Sequence, residues 1–434
     1  MRLMASEVAQ AAGGRLVGPD VEVSGISIDS RTVATGELFV PVVAERDGHD
    51  FIDEALAAGA AAYLTAMPPR GATAVEVGDT AAALAELGRF TRGKFDGPVV
   101  GITGSVGKTS VKDMAAAAIG EDRSTHASPM SFNNELGVPL TLANCPEEAE
   151  AVVVEMGARG KGHIAWLCSM ARPTVGVVTS VGAAHTELFG TVEAVAEAKG
   201  ELVESLDASG VAVLNADQPL VAAMADRTEA AVLAFGRAGG DVRASAVSLD
   251  DGLCPRFRLE TPRGQADVAL AVCGEHMVDN ALAAAAAALA VGEGVEEIAA
   301  GLGSAQLSPW RMEVTELASG AVLINDAYNA NPMSMAAGLR SLAAVDRPRR
   351  VAVLGVMAEL GDRAAAEHAA IGALARDLDI EVISVATPEY GLSPVADAAA
   401  AIAALGQLEG DTAVLVKASR AAGLEAVAEA LSES

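Results

Sequence analysis

A glycine-rich segment followed by a lysine and two hydroxyl residues has the composition of a phosphate-binding loop. The segment comprises Thr103, Gly104, Ser105, Val106, Gly107, Lys108, Thr109 and Ser110. Gly104 and Gly107 allow the backbone to curl so that its N–H groups face an anion. Lys108 adds a full positive charge, and the Thr109 hydroxyl is a suitable ligand for Mg²⁺. The segment therefore predicts a site for a nucleoside triphosphate.

The sequence around this loop predicts the elements that a phosphate site requires. A β-branched run predicts a buried strand at residues 99–102, and an alanine-rich run predicts a helix at residues 111–118. The N-terminus of such a helix carries a partial positive charge, which favours a bound phosphate. This order of strand, loop and helix makes a simple solvated glycine turn the weaker interpretation.

The middle of the chain alternates between strand and helix patterns. Short apolar runs predict strands at residues 99–102, 151–154, 175–179, 211–214 and 231–235. Such alternation indicates a mostly parallel sheet that is covered on both faces. An alternating segment at 256–260, a turn, and a second run at 265–272 predict an antiparallel hairpin added to the edge of this sheet.

The two ends of the chain predict separate α/β domains. The first block contains short strands, among them residues 21–28 and 37–42. The last block, with predicted strands at 322–325, 350–354, 381–385 and 413–416, is Rossmann-like but lacks a GxGxxG loop. We therefore predict an α/β protein of three domains: a small one at residues 1–94, a central phosphate-loop (P-loop) ATPase domain with a mostly parallel sheet at 95–307, and a Rossmann-like domain at 308–434.

Composition restricts the classes of partner. With 58 acidic and 30 basic residues, the formal net charge is −28, which argues against nucleic acid and anionic membranes as partners. The four cysteines lack metal-binding spacing and predict reduced thiols. Glu7 stands where a signal peptide would be apolar, and the run at 281–291 is too short to cross a bilayer. We expect a cytoplasmic protein without membrane insertion, and a monomer as the simplest state.

Other polar side chains follow predicted strands and are weaker signals. Glu155 ends one strand, where a carboxylate either holds Mg²⁺ beside the loop or merely caps the next turn. His185 follows another strand, a position that a packing residue takes more often. Lys199 lies among glutamates at helical spacing, which favours a surface lysine in ion pairs. Two further polar clusters, at residues 325–332 and 416–420, end strands of the last block.

Together these motifs resemble those of the Mur ligase family along nearly the whole chain. The similar segments are residues 29–31, 36–39, 47–51, 103–109, 132–141, 155–158, 184–201, 274–284, 325–332 and 417–420. The segment at 325–332 is especially similar to the members that add D-alanyl-D-alanine. Ala418, where the family usually has glycine, and residues 356–358 depart from the pattern and bear on the dipeptide pocket.

The resemblance implies roles for individual residues. For ATP it implies Thr103, Gly104, Ser105, Val106, Gly107, Lys108, Thr109, Ser110, Asn134, His276, Asn280, Arg311 and Asp326. For two Mg²⁺ ions it implies Thr109, Glu155, His185 and Lys199, the last as a carbamate. For the UDP-linked substrate it implies Ser30, Arg31, Asp47, Gly48 and His49, and for the dipeptide Asn329, Lys417 and Ser419. In catalysis it implies Lys108, His185, Lys199 and Arg311.

The activity implied by the resemblance is ATP-dependent, ADP-forming ligation of D-alanyl-D-alanine to UDP-N-acetylmuramoyl-tripeptide, a step of peptidoglycan precursor synthesis. The γ-phosphoryl group of ATP moves onto a carboxylate, and the dipeptide amine attacks the acyl phosphate. Arg311 lies on a different predicted domain from the loop, so closure of the third domain is expected. The alternatives are a diaminopimelate-, lysine-, folylpolyglutamate- or cyanophycin-type ligase, and a switch or scaffold that hydrolyses ATP without ligation.

Overall fold

The computed structural model describes residues 2–182 and 186–433 and has the predicted α/β architecture. Its residues cluster in two compact units. The first unit comprises Met1–Gly101, Arg123–Gly157 and Ile164–Thr174, and the second comprises Ile102–Asp122, Ala158–His163 and Val175–Ser434. Within the described ranges, every helix is too short or too polar to cross a bilayer.

Short strands and small helices form the first part of the chain. The strands are β1 Leu3–Met4, β2 Arg15–Val17, β3 Glu22–Val23, β4 Ile26–Ser27, β5 Leu38–Phe39, β6 Ala62–Thr65 and β7 Ala74–Glu76, and the helices are α1 Ala5–Ala11, α2 Ile52–Ala57 and α3 Thr80–Gly93. One sheet has the order β2-β7-β6-β5-β4, and β1 pairs with β3. The strands predicted at 21–28 and 37–42 are shorter than expected. Gly25 separates β3 from β4, and Pro41, which has no N–H to donate, follows β5.

The middle of the chain contains the predicted parallel sheet. Its strands are β8 Val99–Thr103, β9 Thr125–Ala127, β10 Ala151–Glu155, β11 Val175–Val178, β12 Val211–Asn215 and β13 Ala231–Phe235, in the order β13-β12-β11-β8-β10-β9. The helices are α4 Lys108–Gly120, α5 Gly137–Ala143, α6 His163–Ala171, α7 Thr186–Phe189, α8 Val192–Glu204 and α9 Pro219–Ala222. The pairs β9–β10, β11–β12 and β12–β13 are parallel, which confirms the predicted sheet type.

The predicted hairpin belongs to a different sheet from the one expected. Strands β14 Arg243–Leu249, β15 Pro255–Thr261 and β16 Gly264–Ala269 form a separate antiparallel sheet, followed by α10 Met277–Val291 and α11 Val295–Ser304. The expectation that the hairpin extends the central sheet was therefore wrong. The open edge of β15 pairs with β14 instead, and α11 packs against β16. Phe257, Leu259 and Val268 are buried, so the hairpin has an apolar face of its own to cover.

The last part of the chain forms a second α/β sheet. Its strands are β17 Glu313–Glu316, β18 Val322–Asn325, β19 Arg349–Leu354, β20 Glu381–Ser384 and β21 Thr412–Lys417, and its helices are α12 Pro332–Ala343, α13 Ala364–Asp377, α14 Ala398–Leu405 and α15 Glu425–Ser432. The order is β17-β18-β21-β19-β20, with β17 antiparallel and the other pairs parallel. The carboxyl ends of β18, β21 and β19 therefore meet at one edge, where the polar clusters lie.

Candidate active site

Two glycines fix the course of the loop between β8 and α4. Gly104 has φ of +154°, and Gly107 has φ of +82°. A Cβ added at Gly104 would lie 1.9 Å from Thr179 Oγ1, and one at Gly107 would lie 2.4 Å from Asn280 Oδ1. Any larger residue would collide with these side chains in a backbone conformation that L-residues rarely adopt. The loop is therefore held directly against the segment after β11 and against α10.

The end of the loop is the N-terminus of a long helix. Gly107 is the N-cap of α4, and no side chain caps this end. The first amides of a helix have no acceptor within the helix, and they carry its partial positive charge. The Lys108 ammonium donates to the Gly104 carbonyl at 3.0 Å, which keeps this cation over the loop. The arrangement is an anion site.

The preceding loop amides are used differently from what the sequence predicted. The Ser105 N–H donates to the Ser180 carbonyl at 2.8 Å, and the Val106 N–H donates to Ser180 Oγ at 3.0 Å. The Thr179 hydroxyl donates to the Val106 carbonyl at 2.6 Å. These two amides therefore support the loop instead of facing an anion. Sequence reasoning missed Thr179 and Ser180, although two hydroxyl residues directly after a buried strand were a usable signal.

Arg311 reaches the loop from the segment before β17. Its Nη2 donates to Thr109 Oγ1 at 2.8 Å, and its guanidinium lies 4.2 Å from the centre of the Tyr328 ring. The neighbours Trp310 and Met312 both have positive φ, at +61° and +53°. Such strain in non-glycine residues persists only where the surroundings enforce it. The structure already brings Arg311 to the loop, so this contact needs no further domain closure.

Three buried polar atoms of residues implied for ATP have no hydrogen-bond partner within the described residues. They are Thr103 Oγ1, His276 Nδ1 and Arg311 Nε. Because nearly all buried polar atoms in native proteins are hydrogen-bonded, such a set indicates a missing polar ligand. Burial lowers the pKa of His276, against the opposing effect of the Asp326 charge. A neutral imidazole can both donate to and accept from a nucleotide base.

Lys199 is buried, contrary to the surface position that its charged neighbours favoured. It is 2% exposed on the inner face of α8, and burial, with the nearby positive charge of Lys108, lowers its pKa well below the usual value. Val195, Ala198 and Leu202 are buried on the same face. These positions are spaced three and four residues apart, so they form one helical stripe. This apolar periodicity was a better guide than the glutamates.

In the first unit, Glu155 is a buried carboxylate at the end of β10. It is 1% exposed, and the Asn133 amide donates to its Oε1 at 2.7 Å. The neighbouring Asn134 uses its Oδ1 as an acceptor for the N–H groups of Leu136 and Gly137, at 3.1 and 2.9 Å. Asn134 therefore holds the start of α5, while Asn133, absent from the predicted set, orients the carboxylate.

The predicted metal ligands are of the right chemical type but form no dense acidic cluster. In residues 2–182 and 186–433, no group of three or more His, Cys, Asp or Glu is placed to hold a metal ion, and His185 lies outside these ranges. Mg²⁺ is usually held in nucleotide sites by one or two protein oxygens, with phosphates and water completing the shell. The Thr109 hydroxyl and the Glu155 carboxylate are each oxygens of this type, so each of these residues is chemically suited to Mg²⁺.

Two of the residues implied for the UDP-linked substrate, Arg31 and Ser30, bond to carboxylates outside that set. Arg31 donates through Nε and Nη2 to the two oxygens of Asp29 at 2.8 and 2.6 Å, and it is fully exposed. The Ser30 hydroxyl donates to Glu54 Oε2 at 3.2 Å. The exposed guanidinium remains accessible to an anionic ligand, whereas Ser30 is 8% exposed and serves this loop.

His49 holds the turn that contains Asp47 and Gly48. Its Nε2 accepts from the Ala66 N–H at 3.1 Å, so Nδ1 carries the proton and donates to Asp47 Oδ1 at 2.7 Å. A Cβ at Gly48 would lie 2.5 Å from the backbone nitrogen of Val42. Both ring nitrogens are engaged, and the residue is 4% exposed. The structure therefore gives His49 a role in shaping this turn.

Lys417 and Asp326 form a buried ion pair at the carboxyl edge of the last sheet. The Lys417 Nζ lies 2.5 Å from Asp326 Oδ2 and donates to the Asn329 carbonyl at 2.9 Å. Ser419, two residues later, accepts at Oγ from the Ala358 N–H at 2.9 Å. The predicted dipeptide residues thus come together. Asp326, assigned by resemblance to ATP, has Lys417 as its ionic partner.

The loop, the helix start and the Thr109–Arg311 contact define a P-loop nucleotide-binding protein of the α/β class. Family models match three stretches of the chain: "Mur ligase family, catalytic domain" at residues 22–91, "Mur ligase middle domain" at 102–288, and "Mur ligase, glutamate ligase domain" at 310–434. The chain belongs to the Mur ligase family.

Relatives from several bacteria resemble the chain over almost its full length. The UDP-N-acetylmuramoyl-tripeptide–D-alanyl-D-alanine ligase of Mycobacterium tuberculosis is 41% identical, and that of Escherichia coli is 37% identical; each comparison covers 99% of this chain and 98% of the relative. A crystal structure of MurF from Acinetobacter baumannii superposes with a TM-score of 0.90 at 30% identity, covering 100% of this chain and 99% of that one. The Thermotoga maritima MurF ligase in complex with ADP gives 0.83 at 31%, covering 95% and 97%.

Proposed function

We propose that this chain joins D-alanyl-D-alanine to UDP-N-acetylmuramoyl-tripeptide at the expense of ATP. The relatives of 37% and 41% identity carry that activity in their names and match the chain from end to end. The contact between Arg311 and Thr109, at 2.8 Å, is the single observation that carries the proposal. It places a fixed cation beside the hydroxyl that begins the phosphate-binding helix.

The P-loop and Arg311 act on the phosphates of ATP. A carboxylate is a poor acyl donor because oxide is a poor leaving group, so its oxygen first receives the γ-phosphoryl group. Negative charge spreads over the transferred group, and preorganised cations stabilise that charge. Lys108 supplies one such cation, and Arg311 supplies the other. Mg²⁺, held by the Thr109 hydroxyl, Glu155, His185 and modified Lys199, would neutralise further phosphate charge.

The environment of Lys199 suits it for modification by carbon dioxide. A carbamate forms when a neutral amine attacks CO₂ and releases one proton, so a lowered pKa increases the reactive fraction. The burial of Lys199 and the nearby charge of Lys108 both act in this direction. The modified side chain carries two oxygens with negative charge, which also relieves the repulsion between the two lysines.

The remaining residues position the two substrates. Lys417, held by Asp326, presents a fixed positive charge at the sheet edge, which suits the carboxylate of the incoming dipeptide. Asn329 and Ser419 shape the same edge, while His276 and Asn280 face the base side of the nucleotide. Arg31 offers its exposed guanidinium to the diphosphate of the sugar nucleotide. We assign these roles to domains at residues 1–94, 95–307 and 308–434, acting as a monomer in the cytoplasm.

The test is release of phosphate from ATP as a function of both substrates. The proposal requires that release depends on UDP-N-acetylmuramoyl-tripeptide and D-alanyl-D-alanine together. Arg311→Ala should lower kcat by about 100-fold or more, whereas Arg347→Ala, whose Nη1 bonds only its neighbour's carbonyl, should leave kcat unchanged. Normal turnover of Arg311→Ala would contradict the proposal.

A panel of acceptors separates the alternative ligases from this one. With diaminopimelate, lysine or glutamate as the acceptor, phosphate release from ATP should stay at background. With D-alanyl-D-alanine, it should reach the full rate. Equal phosphate release without any acceptor would instead support an ATP-hydrolysing switch.

A further inference from the structure

Two of the four cysteines lie in contact outside the nucleotide site. The Sγ atoms of Cys254 and Cys273 are 3.0 Å apart, and both residues are free thiols. Cys254 precedes β15, and Cys273 lies four residues before α10. Cys145 and Cys168 are buried elsewhere in the chain. The contact between Cys254 and Cys273 is shorter than the usual separation of two non-bonded sulfur atoms, so an added oxidant could join them without a large rearrangement.

Backbone hydrogen bonds hold the two cysteine-bearing segments side by side. The Gly274 N–H donates to the Leu253 carbonyl at 2.9 Å, and the Leu270 N–H donates to the Pro255 carbonyl at 2.9 Å. These bonds lie on both sides of Cys254 in the chain. A disulfide has an S–S length of about 2.05 Å, so bond formation needs an approach of about 1 Å, within reach of side-chain rotation. The strand pairing can stay intact.

The two thiols differ in access to solvent. Cys254 is partly exposed, whereas Cys273 is 9% exposed. Burial, together with the contact to Cys254, raises the pKa of Cys273, so this thiol is protonated and is the weaker first nucleophile. Cys254 is therefore the site of first attack, and Cys273 is the second thiol.

We propose that Cys254 and Cys273 form a redox-reactive dithiol that small-molecule disulfides convert to an intramolecular disulfide. The Cys254 thiolate attacks one sulfur of the small disulfide and expels one thiolate, which leaves a mixed disulfide on Cys254. Cys273 then attacks Cys254 Sγ, loses its proton to solvent and expels the second thiolate. Two protein thiols are oxidised by two electrons, and the small disulfide is reduced to two thiols.

The cross-link would join the turn before β15 to the segment that leads into α10. This segment contains His276, and α10 carries Asn280 against Gly107. The proposal concerns the chemistry of the two sulfur atoms and holds whether or not the chain is a ligase. A disulfide that closes the loop between Cys254 and Cys273 restricts the unfolded chain and therefore raises the free energy of unfolding.

The test uses the full chain incubated with oxidised glutathione. Thiols counted after denaturation should fall from four to two, and peptide mapping should recover Cys254 linked to Cys273. The oxidised protein should melt about 5 °C higher, and amide exchange at Leu270 and Gly274 should slow. A count that stays at four, or a linkage between other cysteines, would overturn the proposal.

Single serine variants separate the roles of the two thiols. Cys273→Ser should accumulate a glutathione adduct on Cys254, because the resolving thiol is absent, and Cys254→Ser should show no adduct. Cys145→Ser, a change at a buried thiol of the first unit, should still form the cross-link. A stable adduct on Cys254 of the unmodified chain would show that Cys273 does not resolve it and would refute the mechanism.

Discussion

Two buried lysines, in two regions of the chain, have opposite electrostatic surroundings. Lys417, at the end of β21, has Asp326 within 2.5 Å, so a carboxylate holds its ammonium in place. Lys199, on α8, has another cation, Lys108, as its electrostatic neighbour. Both side chains are 2% exposed. Burial alone therefore does not define the state of a lysine: a partner carboxylate favours the charged form, whereas burial beside another cation favours the neutral amine.

The largest expected effect is on catalysis, at Lys199. Lys199→Ala removes the amine and with it the carbamate that we propose, so we expect kcat to fall by about 1,000-fold. Lys161→Ala, an exposed lysine 4.0 Å from Glu197, should change kcat by less than about twofold. Steady-state phosphate release measures both variants. Turnover of Lys199→Ala close to that of the unmodified chain would remove the distinction between the two lysines.

The second effect is a change in stability when either lysine is replaced by methionine. Its sign should differ between Lys417 and Lys199. Lys417→Met leaves the Asp326 carboxylate half-buried without its partner, which should lower the free energy of unfolding by about 3 kcal/mol. Lys199→Met removes a desolvated amine from an apolar stripe and should be neutral or stabilising by about 1 kcal/mol.

Urea denaturation of both methionine variants gives this comparison. A Lys417→Met, Asp326→Asn double variant should recover part of the loss, because neither charge then remains unpaired. Equal destabilisation at Lys199 and Lys417 would contradict the interpretation.

The third effect is the pH dependence of catalysis. Lys199 must be neutral to react with CO₂, and protonation returns it to the unreactive ammonium form. Since its pKa is lowered, kcat should fall on the acid side, by up to about tenfold per pH unit below that pKa. Added bicarbonate should raise kcat at each pH in the unmodified chain. Bicarbonate should not change the residual activity of Lys199→Ala. An increase in that activity would exclude Lys199 as the amine that reacts with CO₂.

A smaller effect concerns Asp279, a half-buried carboxylate in the first turn of α10. Burial raises the pKa of Asp279 to about 6, although Arg237 acts against it. The folded chain therefore binds more protons than the unfolded chain between pH 3.8 and about 6, so stability falls as pH rises through that window. Asp279→Asn should remove this dependence and gain about 2 kcal/mol at pH 7.

Chemical denaturation at pH 4 and pH 7 tests the Asp279 prediction. Asp251→Asn, a change at an exposed carboxylate on the loop before β15, is the matched control and should retain the dependence. A steeper loss of stability in Asp279→Asn would contradict the sign.

Much of the fold follows from local patterns. The strands predicted for the two parallel sheets lie close to those of the structure because their apolar runs are bounded by polar residues, Gly or Pro. The short edge strands β9 and β17 were not predicted. The loop between β8 and α4 was predicted from glycine spacing, and the structure shows why both glycines are needed. The two strands of the hairpin were predicted correctly, but the sheet that they join was not. Their alternating pattern does not specify a partner strand, and only packing selects β14.

The site was harder to predict than the fold. Asp326 and Lys417 are 91 residues apart, and no local rule pairs them. The spacing of the adjacent glutamates favoured a surface position for Lys199, whereas the apolar stripe through Val195 and Leu202 favours the buried position that the structure shows. The roles of Thr179 and of the ring nitrogens of His49 depend on contacts that form only after the sheets assemble.

The contact between Gly107 and Asn280 helps to restrict which residue types position 107 can accept. A methyl group at residue 107 would lie 2.4 Å from the Asn280 side chain, and the φ of +82° at this position disfavours any side chain. In a library randomised at both positions, active clones should therefore retain glycine at 107, because a smaller residue at 280 removes the collision but not the backbone strain. Residue 280 and the local backbone conformation thus together restrict the mutations that the phosphate-binding loop can accept.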